Sequence, residues 1–298
     1  MRIYEYGHLI PAILVKRKNR FVSEVSFPSQ NSVFECYMQN PGSMLGMCVK
    51  GSEVRLSVST RESRRLKYTV EAIKIQNQWI GCNTSIANEV VASILRDRNC
   101  ALKFGFPHFD IFRREIKHGN SRFDFELVSQ RGTSLLEVKT VTMASDWYEV
   151  ESNSERADKP FKRFPKSPPL ECDNNNESGK RALFPDCRSQ RAQKHVEALG
   201  LLSNRQSTFL VYIVLRDDVE SVGPSQYCDP EYSDAVTLAV NLGLKLIGIK
   251  ISLKMDNPAY CYLDLAGRLD CCLPEKITLD VPERNSKKCR QEQKLSIL

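Results

Sequence analysis

The sequence contains no run approaching the ~20 consecutive apolar residues of a bilayer-spanning helix. Its strongest apolar stretch, Thr208 to Leu215, is of strand length. The opening Met-Arg-Ile-Tyr-Glu-Tyr-Gly has no apolar signal core. The eleven cysteines are odd in number, include no C-x-x-C pair, and place Cys271 and Cys272 side by side, a poor arrangement for bridging each other. Neither a disulfide framework nor a zinc ribbon is indicated. The expectation is a soluble cytoplasmic protein whose reduced thiols pack as small hydrophobes. Internal repeats are lacking too, as is any histone-like basic tail.

What is present is an uneven distribution of charge. The 298 residues carry 43 Lys and Arg against 36 Asp and Glu, a net charge of +7. Residues 1–82 hold 12 basic and 6 acidic side chains, while the remainder holds 31 and 30. Nearly all of the excess lies in the first quarter of the chain. A small basic unit joined to a nearly neutral one suggests a polyanion-binding module attached to something else.

The two parts differ in pattern as well. Short runs rich in Val, Ile, Phe and Tyr (9–16, 21–27, 33–38, 53–59, 68–75 and 78–82) are separated by turns such as Asn40-Pro41-Gly42 and Lys50-Gly51. Strands at this density without a helix predict a small barrel of OB type over residues 1–82. From 83 the periodicity becomes helical, with Ile86, Val90, Val91, Ile94 and Leu95 on one face and Asn83 or Thr84 as candidate caps. Strands at 110–117, 122–128 and 134–142 follow, then a helix at 189–202, a strand at 208–215, a helix at 230–241 and a strand at 244–253. This order predicts an α/β domain over 83–253, followed by a loosely patterned extension, 254–298, with a polar stretch at 285–294 expected to fray. Residues 147–182 break the pattern. They contain four prolines, an Asn174-Asn175-Asn176 tract and seven charges of each sign, the composition of a disordered surface insertion.

Chemistry-bearing residues concentrate in the three-strand meander. Strand alternation sets Phe123, Phe125 and Leu127 on one face and Asp124 on the other, and puts Glu137 and Lys139 on a common face of the next strand. An Asp and a Glu from neighbouring strands can share Mg²⁺, a cation that prefers oxygen ligands. A lysine beside them can hold the attacking water and offset charge growing on phosphorus. Taken alone, Glu-x-Lys also describes a solvated sheet face, and Glu126 shares the face of Asp124 without an evident role. The context is more telling: a helix, the Asp, the Glu-x-Lys thirteen residues later, and a helix with Gln193-Lys194-His195 follow the order of the PD-(D/E)xK nuclease core. Glu115 could add a third carboxylate or simply pair with Arg113 or Arg114. His195 reads as structural or phosphate-contacting, because this chemistry draws its hydroxide from the metal.

In the barrel, Lys16, Arg17, Lys18 and Arg20 crowd one strand–turn region, and Arg61, Arg64, Arg65 and Lys67 another, with Phe21, Phe27, Tyr37 and Tyr68 interleaved. Cations for phosphates and aromatics for bases suit a sequence-tolerant nucleic-acid surface. The aromatics also suit the barrel interior.

These residues resemble the sugar fermentation stimulation protein A (SfsA) family over about 9–253. Lys18-Asn19-Arg20-Phe21 is similar to its R-x-N-R-F segment, and Asn40-Pro41-Gly42-Ser43-Met44 to its N-x-G-R-M turn. Asn120-Ser121-Arg122-Phe123-Asp124-Phe125 and Glu137-Val138-Lys139-Thr140-Val141-Thr142 resemble two of its strands. Phe184-Pro185-Asp186 and Arg191-Ala192-Gln193-Lys194-His195 resemble F-P-D and R-G-Q-K-H. Ser43 and Tyr37 depart from the usual Arg and His, Ala192 from Gly, and the 147–182 segment is longer than the family's connection. The resemblance implies an OB fold before a PD-(D/E)xK-like domain, non-specific DNA binding, a regulatory role in sugar (maltose) metabolism, and an active site at Glu115, Asp124, Glu137 and Lys139.

The expectation is therefore a DNA-binding protein with a Mg²⁺-dependent nuclease-like centre. Asp124 and Glu137 would hold metal, Lys139 the water, and Glu115 would assist. Lys16, Arg17, Lys18, Arg20, Arg64, Arg65 and Lys194 would hold phosphates of DNA, with RNA not distinguished. Two other readings stand beside it: a DNA-binding regulator without catalysis, and a protein-interaction scaffold working through the long insertion.

Overall fold

The computed structural model describes residues 1–28, 32–119, 121–146, 179–256 and 260–274. Sixteen strands and four helices fall within them: β1 (Arg2–His8), β2 (Ile10–Arg17), β3 (Val22–Ser26), β4 (Val33–Tyr37), β5 (Glu53–Val58), β6 (Tyr68–Ile75), β7 (Gln78–Gly81), α1 (Ile86–Arg96), α2 (Arg98–Lys103), β8 (Ile111–His118), β9 (Ser121–Ser129), β10 (Gly132–Val141), β11 (Met143–Ala144), β12 (Arg181–Phe184), α3 (Gln190–Leu202), β13 (Ser207–Val214), β14 (Ser221–Pro224), α4 (Pro230–Asn241), β15 (Lys245–Met255) and β16 (Tyr260–Cys271).

Strands β2 to β7 form one six-stranded sheet, ordered β4-β3-β2-β5-β6-β7 and curled until β4 meets β6 through Tyr37 and Thr69. Leu14, Val25, Met38, Leu56, Val70 and Ile73 fill its interior. This is the expected OB-like barrel. The second sheet has ten strands, ordered β11-β12-β14-β16-β15-β13-β10-β9-β8 with β1 added on β16. Central strand β13, Ser-Thr-Phe-Leu-Val-Tyr-Ile-Val, is buried at seven of its eight positions. It lies parallel to both neighbours, β10 and β15, and side chains of both its faces enter cores. Phe209, Val211 and Ile213 meet the apolar face of α1, while Leu210, Tyr212 and Val214 meet α3 and α4. Ser189 caps α3 by accepting from the Ala192 amide, and Asp229 caps α4 by accepting from the Tyr232 amide, just ahead of Pro230. Among the described residues no helix is long and apolar enough to cross a membrane.

Several sequence expectations need revision. The helical pattern read from 83 onward resolves into two helices, α1 and α2. Asp97 takes an extended backbone and its carboxylate accepts from the Cys100 amide, so it ends α1 and caps α2. Residues 254–271 are no loose extension. Strand β16 pairs with β15 over its length, with β14 at its end and with β1 on its other side. Its exposed and intermediate positions hide the apolar alternation that single-sequence reading depends on. β1 falls within 1–82 yet belongs to the larger sheet. The insertion read at 147–182 lies outside the described residues as far as 178. Its last residues, Arg181 and Ala182, open β12. The polar stretch at 285–294 is also outside them. Cys36 and Cys82 are buried thiols, and desolvation pushes Cys36 up to about 12, which suits their reading as small hydrophobes.

Candidate active site

The antiparallel ladder of β9 and β10 runs through Ser134↔Leu127, Leu135↔Glu126 and Leu136↔Phe125 and then stops. At the next step a side chain takes the place of the backbone. Asp124 Oδ2 accepts the Val138 amide at 2.7 Å, where a ladder carbonyl would otherwise have served. The other oxygen, Oδ1, accepts from Asn88 Nδ2 of α1 at 2.9 Å. Asp124 is thus wedged into a parting sheet and fixed on both sides.

Glu137 stands on the adjacent strand and is 3% exposed. Its Oε1 receives Lys139 Nζ at 2.5 Å and His195 Nδ1 of α3 at 2.5 Å. Its Oε2 is buried and has no hydrogen-bond partner among the described residues. Burial, then the charge of Glu137, push the Asp124 carboxyl above its ordinary range, against the Val138 and Asn88 donors. Burial would lift Glu137 as well, but His195 and Lys139 more than offset it and hold that carboxyl low. Two close carboxylates thus differ in electrostatic state because one has two basic neighbours and the other has amides.

The remaining candidates distribute unevenly. Glu115 lies across from Asp124 on β8, between the Arg114↔Phe125 and Ile116↔Phe123 pairs, but takes a positive φ of 54°. Its carboxylate is exposed and sits 3.8 Å from Arg122. Gln193 turns away from the centre and donates to Asp229 Oδ1 at 2.7 Å. Lys194 is exposed on α3. Asn88 escaped the sequence reading because nothing in a helical Ile-Ala-Asn-Glu distinguishes it from a solvated position.

The barrel reaches this centre through one loop. Arg17 donates to the carbonyls of Asn40 (2.8 Å), Gly42 (2.9 Å), Ser43 (2.9 Å) and Arg20 (3.3 Å). From the other side Asp186 Oδ2, in the Phe184-Pro185-Asp186 turn with its cis Phe184–Pro185 bond, accepts the Met44 amide at 2.7 Å. Gly42 is required there, since a Cβ would lie 2.4 Å from Asp186 Oδ1. Between the loop and β10 lies a cleft of about 170 Å³ lined by Asn40, Gly42, Thr84, Lys139, Thr140 and Asp186.

The phosphate-holding candidates are only partly at liberty to act. Arg17 is committed to the loop. Lys16 pairs with Glu24 (3.2 Å), Lys18 with Glu35 (2.6 Å) and Glu24 (3.6 Å), and Arg65 with Glu35 (3.8 Å). Arg64 donates to Thr69 Oγ1 at 2.9 Å, and Arg20 is exposed.

An OB-like barrel ahead of an α/β domain, with an Asp and a Glu-x-Lys on neighbouring strands, defines a two-domain protein whose second part has the PD-(D/E)xK type of fold. Residues 15–82 match the model for the SfsA N-terminal OB domain, and 85–159 and 147–257 match that for the sugar fermentation stimulation protein RE domain. The chain belongs to the SfsA family. It is 30% identical over 264 residues to a sugar fermentation stimulation protein homolog of Rippkaea orientalis, covering 87% of this chain and 94% of that one. A homolog of the same name from Geobacter metallireducens is 29% identical over 245 residues, covering 81% and 90%. The solved structure of Pyrococcus furiosus SfsA in complex with Ca²⁺ superposes with a TM-score of 0.70 at 18% identity, covering 91% of this chain and 99% of that one.

Proposed function

We propose that the chain binds DNA without reading its sequence and carries a Mg²⁺-dependent phosphodiester-hydrolysing centre at Asp124, Glu137 and Lys139. The observation that carries this reading is the unpartnered Oε2 of buried Glu137 beside the charge-coupled Asp124. Leaving a buried carboxylate oxygen without a partner costs about 1–3 kcal/mol, a cost that a cation would relieve. Among the described residues no three His, Cys, Asp or Glu side chains cluster closely enough to form a full cage. The donor set fits Mg²⁺ in particular, which takes one or two carboxylates and completes its shell with water and phosphate oxygens. The Ca²⁺ of the Pyrococcus furiosus complex, another cation that takes oxygen ligands, supports the same fit.

When bound, such an ion supplies a nucleophilic hydroxide and a counter-charge for the phosphate. Lys139, held on Glu137 Oε1, would orient the water and stabilise charge developing on the phosphoryl oxygens. Asn88 and the Val138 amide keep Asp124 turned to its place, and His195 keeps Glu137 turned to its own. Exposed Arg20 and Lys194 would hold the backbone of the strand. Through that grip the chain would serve the regulatory role in sugar (maltose) metabolism that the family resemblance implies.

A second reading, DNA binding without catalysis, draws support from Glu115, whose carboxylate faces Arg122 instead of completing a third acidic position. One assay separates the two. Purified protein is incubated with single- and double-stranded DNA and with RNA, in Mg²⁺, Mn²⁺ or EDTA. Cleavage that needs metal and falls about a hundredfold or more in Asp124→Ala and Lys139→Ala is the expected result. Absence of cleavage in every condition, with DNA binding intact, would leave the second reading standing.

A further inference from the structure

Two aromatic side chains of the barrel stand apart from its core. Phe27, Phe34 and Tyr68 pack against the interior and against one another. Phe21 does not: it is 45% exposed, outside β3, and its ring lies nearly parallel to that of Tyr37, with centroids 6.3 Å apart and planes at 18°. The guanidinium carbon of Arg64 is 5.1 Å from the centre of the Tyr37 ring and is steadied by Thr69. Lys18 and Arg65 share Glu35, which stands two residues before Tyr37 on β4. Strand β4, which ends on Tyr37, continues into the loop whose Asn40 and Gly42 line the cleft with Lys139.

We propose that Phe21, Tyr37 and Arg64 form a stacking platform for unpaired nucleobases, so that the ligand of the barrel is a single strand of nucleic acid whose next nucleotides lead toward the Lys139 cleft. A half-exposed phenylalanine contributes little to the core and loses favourable burial in water. Parallel rings beside a guanidinium offer a base both an aromatic face and a cation–π neighbour. In a duplex the bases are stacked on one another and their faces are closed to such a surface, whereas an unpaired strand presents them. Glu24 and Glu35 hold Lys16, Lys18 and Arg65 in place until phosphates exchange with them. The inference rests on the nucleic-acid-binding reading but not on catalysis.

The test compares four probes by fluorescence anisotropy in EDTA: an oligothymidylate, the same length of RNA, a duplex, and an abasic strand with the same number of phosphates. The full chain is expected to prefer both single strands over the duplex and the abasic strand. Phe21→Ala and Tyr37→Leu should each weaken single-strand binding about tenfold while sparing duplex and abasic binding, and Phe21→Trp should restore it. Thermal unfolding confirms that each variant is folded. Equal affinity for the normal and abasic strands, or single-strand binding unchanged in Phe21→Ala, overturns the platform while leaving phosphate binding intact. Binding to none of the four overturns the nucleic-acid reading as well.

Discussion

Arg17 and Arg20 sit three residues apart in one basic cluster and look interchangeable in the sequence, yet their surroundings give them different work. Arg17 donates to four loop carbonyls, including those of Asn40, Gly42 and Ser43. Arg20 presents its side chain to solvent. Arg17→Ala should therefore destabilise the protein by about 2–4 kcal/mol through carbonyls left unpaired. Arg20→Ala should leave the melting temperature unchanged and weaken DNA binding uniformly across sequences, with a shallower salt dependence. Thermal melts beside binding titrations in increasing salt check both; a stable Arg17→Ala with lowered affinity would return Arg17 to the phosphate-contacting group. The same contrast shows what single-sequence reading can and cannot resolve. Period-two alternation places Glu137 and Lys139 on one face of β10, with Leu135 and Val141 of the α3–α4 core. It fails on β9, where Phe123 enters that core while Phe125 and Leu127 enter the one under α1, because the sheet parts at Asp124. Asn88, His195 and Arg17 act through partners 36, 58 and about 25 positions away, and no local pattern encodes such a distance.

At the scale of elements, the short strands β11 and β12 lie 36 residues apart in sequence. They pair through Met143↔Leu183 and Ala144↔Ala182, and a charge network lies alongside. Lys180 Nζ bridges Asp146 and Asp218, each at 2.7 Å, while Arg216 holds Asp218 through Nε and Nη2, both at 2.7 Å, and the Thr142 carbonyl at 3.1 Å. Burial would raise the Asp218 carboxyl, but Arg216 and Lys180 outweigh it and hold it at about 2, below the ordinary 3.8. A depressed carboxyl contributes stability that is complete above the ordinary value and disappears as pH falls through the folded one. Asp218→Asn should therefore cost about 1 kcal/mol at neutral pH, allowing for the water that reaches the network. The deficit should close as pH falls from 3.8 to about 2. Urea titrations at a series of pH values check this, and a deficit independent of pH would assign the effect to lost geometry instead of charge. None of this network is readable from sequence, where Lys180 belongs to a polar tract and Asp217-Asp218 to an ordinary turn.

At the scale of the molecule, the charge partition visible in the sequence maps onto the barrel, and the near-neutral remainder onto the sheet that holds the two buried carboxylates. The larger revision concerns β1 and β16. β16 contacts β15, β14 and β1, and its Cys261, Leu263 and Leu269 enter both large cores. A chain ending at Asp256 should lose its cooperative unfolding transition, and a normal melt from that truncated chain would contradict the assigned register. β1 pairs with the same strand, Arg2 opposite Asp264. From β1 in the larger sheet the polypeptide therefore passes out to build the barrel and returns through α1. The barrel is a guest spliced into its host, held by two covalent crossings instead of one. Two hydrogen bonds add to those crossings: the Met44 amide donates to Asp186 at 2.7 Å and the Gly81 amide to the Leu215 carbonyl at 2.9 Å. The ladder between β1 and β16, in turn, cannot form until residues 260–264 have been synthesised, because they lie some 250 residues downstream of their partners in β1.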